Sequence, residues 1–76
     1  MARYTVDSAR RMVTDEPLTE YLLSTDSEDD PAIGVVEDED GMLTYRYPHA
    51  AAEVTVAHRR AAAAAIAAYR RTREEV

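Results

Sequence analysis

The chain has 76 residues and a formal net charge of -6, with nine basic side chains, all arginine, set against fifteen carboxylates. It has no cysteine, which excludes a disulfide framework and any thiolate-ligated zinc or iron site. This length holds one domain, residues 1–76, and a chain so short buries only about 60% of the surface its unfolded form exposes.

Lys, Asn, Gln, Phe and Trp are all absent. Lys, Asn and Phe need AT-rich codons, so their absence points to a GC-rich coding sequence. The acid surplus adds a second indication, because a chain that repels itself is least strained where salt screens it. An extreme halophile, or a virus or plasmid living in one, fits both indications, and a GC-rich mesophilic bacterium or its phage fits the first.

Thr5 or Asp7 can cap a short helix through Ala9, Arg10, Arg11, Met12 and Val13, with Val6, Ala9 and Val13 on one face. A second start signal follows at Thr14 or Asp15, with Glu16 in the first turn and Pro17 where a missing N–H costs little. Leu18, Tyr21 and Leu22 recur at helical spacing, which predicts a second helix reaching Ser24. The stretch STDSEDDP that follows reads as a solvated acidic loop over about 24–32.

Residues 33–37 and 42–47 are rich in β-branched, aromatic and aliphatic side chains and are separated by Asp38, Glu39, Asp40 and Gly41. Asp-Gly between two such runs signals a hairpin, since Gly supplies the positive φ of the turn. Alternation puts Leu43, Tyr45 and Tyr47 on one face and Met42, Thr44 and Arg46 on the other. Pro48 ends the second strand, and an alanine-rich helix is predicted over about 52–73. Its bulkiest stripe is Thr55, Ala62, Ile66 and Tyr69. The expected fold class is therefore α+β: two short N-terminal helices, an antiparallel β-hairpin and a long C-terminal helix.

Candidate chemistry is sparse. Asp26, Glu28 and Asp30 alternate like the first ligands of a calcium loop, and Glu37 falls at the twelfth position. The sixth position, where that loop needs glycine, is Pro31. His49 and His58 flank the expected helix start with Glu53 between them, too few ligands for a firm metal site, and they read as structural or solvent-facing. Ser8, Ser24 and Ser27 lack a Gly-rich elbow, and neither histidine has an evident carboxylate to orient it. The expectation is no enzyme, no cofactor and no metal.

The order hairpin then long helix, over Gly34 to about Tyr69, resembles the wing and dimerisation helix of small winged-helix regulators. That resemblance implies DNA binding, with Arg10, Arg11 and Arg46 as the contacting residues. Against it, the wing tip is four acids, Glu37 to Asp40, and the would-be recognition helix, Asp15 to Ser24, has no arginine. Phosphate contacts need positive charge, so nucleic acid ranks below protein as a partner.

A core this small often needs a partner surface. The predicted function is a non-catalytic protein-interaction or assembly module. It would form a homo-oligomer, a dimer first of all, through the face of Ala62, Ile66 and Tyr69, with a further protein partner or larger assembly left open. The longest apolar run, residues 61–69, falls well short of the ~20 residues that span a bilayer, so a soluble cytoplasmic protein without a membrane partner is expected.

Overall fold

A computed structural model describes residues 3–13 and 17–74. Four strands, β1 (Tyr4–Val13), β2 (Pro17–Thr25), β3 (Ile33–Glu37) and β4 (Leu43–Arg46), precede one helix, α1 (Val56–Glu74). The strands form a single antiparallel sheet whose spatial order, β1-β2-β3-β4, is their order in the chain.

The two expected N-terminal helices are strands instead, and the residues that imitated helices show why. In β1 the pairing runs Val6 with Leu23 and then Ser8 with Leu22, so Asp7 is an extra residue in a bulge. A bulge resets the two-residue alternation. Val6 and Ala9, three apart as on a helix, consequently face the same side and both pack on the core. In β2 both faces carry apolar side chains, Tyr21 and Leu23 on the core side and Leu18 and Leu22 on the other, and together they mimic helical spacing. Pro17 opens the strand, a position where a sheet tolerates proline. The proposed caps at Thr14 and Asp15 lie outside the described residues.

The β3–β4 hairpin is closed by Asp38, whose Oδ1 accepts the N–H groups of Asp40 and Met42 at 2.9 Å each. Gly41, at φ 85°, takes the left-handed conformation that other residues reach only at a cost.

One face of the sheet holds the core. Tyr4, Tyr21, Leu23, Ile33, Val35 and Tyr47 from the sheet and its margin meet Val54, Ala62 and Ile66, all buried. Three tyrosines supply the aromatic bulk that the missing Phe and Trp would otherwise give. Thr55 starts the helix, its Oγ1 accepting the N–H of His58 at 3.2 Å as an N-cap does. Arg71 and Arg73 lie in the last turn, where cations suit the helix dipole. The other face of the sheet carries Arg10, Leu18, Glu20, Leu22, Val36 and Arg46 and is not covered by the helix.

Candidate functional site

Two features of α1 stand out: a polar latch at its start and an alanine flank along its side. The latch is centred on His58. Its Nδ1 lies 2.7 Å from the Tyr47 hydroxyl and its Nε2 2.9 Å from Asp30 Oδ1. The Tyr47 oxygen also accepts the N–H of Thr55 at 3.0 Å. With the imidazole neutral and Nε2–H donating to Asp30, Nδ1 accepts the Tyr47 proton; once His58 is protonated, both ring nitrogens donate.

Tyr4 and Tyr47 both present ring edges to the imidazole, with centroids 6.0 and 5.8 Å away. The Tyr4 hydroxyl donates to the Pro31 carbonyl at 2.7 Å. The latch thus ties the first turn of α1 to the β2–β3 loop and to the segment after β4. The bonds to Tyr47 and then to Asp30 push the His58 pKa up. The bond from His58 holds the Asp30 carboxyl below the usual carboxylate range, and burial raises the Tyr4 phenol. Both ring nitrogens of His58 are thus engaged, one by Tyr47 and one by Asp30.

The same bond takes up one of the candidate ligands. Asp30, third in the calcium-like series, is bonded to His58, while Asp26, Glu28 and Asp29 are exposed. Among the described residues no three His, Cys, Asp or Glu side chains gather as a metal site would need. Glu53 and His49 are exposed, and the carboxylate that orients His58 comes from 28 residues away in sequence. Sequence spacing could not have found it.

The alanine flank lies on the β1 side of α1. Ala57, Ala61, Ala64, Ala65 and Ala68, with Tyr4 of β1, line a groove of about 650 Å3 whose rim carries Arg3 and Arg60. The opposite side of α1 is held to the sheet by arginine: Arg70 pairs with Glu37 and stacks over Tyr21, and Arg59 stacks over Tyr45.

Comparison with protein-family models, curated proteins and solved structures found no match for this chain.

Of the expected interface residues, Ala62 and Ile66 are 0% and 1% exposed and pack against the chain's own sheet. Tyr69 is half-buried, edge-on to Tyr21 at 6.2 Å. The stripe with the most bulk went to the core because a sheet face rich in tyrosine and β-branched residues needs that bulk to fill it. The alanines beside the stripe, Ala57, Ala64 and Ala68, stay exposed.

The residues expected to touch DNA sit on strands. Arg10 pairs in register with Glu20, and Arg46 reaches the same Glu20 at 3.5 Å. Arg11 is exposed near the end of β1. The segment of the would-be recognition helix is β2, so the winged-helix resemblance fails at the element that would read DNA. Among the described residues no helix is long and apolar enough to cross a membrane.

Proposed function

We propose that this protein is a small, non-catalytic assembly module that self-associates as a dimer through the alanine flank of α1. The observation that carries this reading is the groove beside β1, an apolar strip of five alanines and Tyr4 on an otherwise highly charged surface. Small side chains let a second helix come to the close end of the usual 8–10 Å spacing. An alanine flank also costs the helix nothing in propensity.

Charge distribution supports a protein partner over nucleic acid. Five of the nine arginines lie on α1, and thirteen of the fifteen acids precede it. The loop and hairpin tips are acidic and would repel phosphates.

The test is mass in solution by light scattering across protein concentration, in molar salt. The unmodified chain should run as a dimer. Ala64→Glu, which places a carboxylate on the exposed part of the flank, should give a monomer with an unchanged circular dichroism spectrum. A folded monomer at every concentration for the unmodified chain would refute the proposal.

A further inference from the structure

We propose that the pocket between the end of β1 and the last turns of α1 binds a small organic phosphate, a monoester dianion held by Arg11, Arg70 and Arg73. The site uses none of the alanines of the flank and stands whether or not the chain self-associates.

Strand pairing builds one wall. Arg11 pairs in register with Thr19, and Thr19 with Glu37, the next row along the core face from Ala9, Tyr21 and Val35. The inner row belongs to the core, whereas the outer row is polar. Tyr69, Arg70 and Arg73 of α1 face that outer row across a cavity of about 430 Å3, a volume within the range of small-molecule sites.

Charge in this pocket is opposite to that of the chain. Glu37 answers Arg70, but among the described residues no carboxylate pairs with Arg11 or Arg73, in a protein of net charge -6. Two of the guanidiniums are also held in place. Arg70 lies over the Tyr21 ring at 5.9 Å, and Arg73 lies over the Tyr69 ring at 5.8 Å and donates to its hydroxyl at 3.1 Å. Fixing such long side chains in advance lowers the entropy cost of binding. A guanidinium carries five N–H donors in a fork, so Arg73 keeps N–H groups for a ligand after bonding Tyr69. A phosphate offers three oxygens and a double charge, which suits forks arriving together from a strand and a helix better than a single carboxylate does. The size of the cavity and its walls of Ala9 and tyrosine leave room for an organic group, which favours an ester over the bare ion.

The test is an NMR titration of the 15N-labelled chain at moderate salt and about pH 7.5, where a phosphate monoester with a second pKa of about 6 is a dianion. Phenyl phosphate should give saturating shifts centred on Ala9, Thr19 and the Nε–H groups of Arg11, Arg70 and Arg73. Phenol should give none, and inorganic phosphate should bind more weakly. Arg11 and Arg73 are exposed, so Arg11→Ala or Arg73→Ala should raise Kd about tenfold without disturbing the fold. Glu37→Gln should lower Kd by releasing Arg70 from its carboxylate, and Arg10→Ala, on the other face of the sheet, should leave it unchanged. Absence of saturable binding, or a loss on Arg10→Ala equal to that on Arg11→Ala, would overturn the site. Inorganic phosphate binding as tightly as phenyl phosphate would overturn the assignment to an ester.

Discussion

At the scale of single residues, His58 ties the fold to pH. Its pKa is raised by Tyr47 and Asp30, so its stabilising effect is complete below the ordinary histidine value of 6.5 and fades as pH climbs through the raised folded value. Asp30 acts in the opposite sense: its depressed pKa gives stability that is complete above the ordinary 3.8 and is lost as acid protonates it. Both effects are present together between those two ordinary values. Thermal melts of the unmodified chain and of His58→Gln should differ most in that window, and the gap should narrow as pH rises beyond it. A gap that stays constant into alkaline solution would show that His58 acts by packing alone. This latch was hidden in the sequence because its parts, Asp30, Tyr47 and His58, lie on three different segments.

At the scale of elements, the second half of the chain was legible and the first half was not. The hairpin announced itself through Asp40-Gly41 between two β-rich runs, and the helix through its alanines, because each signal is local. The side-chain alternation of β4 was also readable: Tyr45 packs on the core, and Tyr47 just beyond the strand is buried on the same side. In β1 and β2 local pattern misled, through a bulge in one and two apolar faces in the other. A bulge is fixed by pairing with a neighbour, which no window of a single strand contains. The helix was legible as an element but its inward face was assigned to a partner. Ile66 now provides the check: it is 1% exposed at the helix–sheet contact, so Ile66→Ala should cost about 2–5 kcal/mol of folding stability in denaturant titrations. Ile66→Glu, which buries an unpaired carboxylate at the same contact, should unfold the chain. Nothing in the sequence distinguished the flank of Ala57, Ala61, Ala64 and Ala68 from the buried Ala62, since only the direction of docking separates them.

At the scale of the whole molecule, charge dominates. Fifteen acids on so small a surface repel one another, above all in the loop around Asp26 to Asp30 and the turn at Glu37 to Asp40, and pairing two such copies doubles the load. Molar salt should raise the thermal midpoint and favour the dimer by screening that repulsion. A midpoint indifferent to salt would favour a non-halophilic origin. Circular dichroism should show far less than half helix, since 19 residues form α1 and the N-terminal segment is sheet. The order of the strands has one more consequence, for the speed with which the chain finds its shape. Every strand pairs with its immediate neighbour in sequence, so the sheet assembles through short loop closures without waiting for distant segments to meet. Stopped-flow refolding should give a single fast phase for the sheet, within milliseconds to tens of milliseconds in order of magnitude. The contact between α1 and β1, which joins the two ends of the chain, is the long closure. Weakening it with Ile66→Ala should chiefly speed unfolding and leave the refolding rate nearly unchanged.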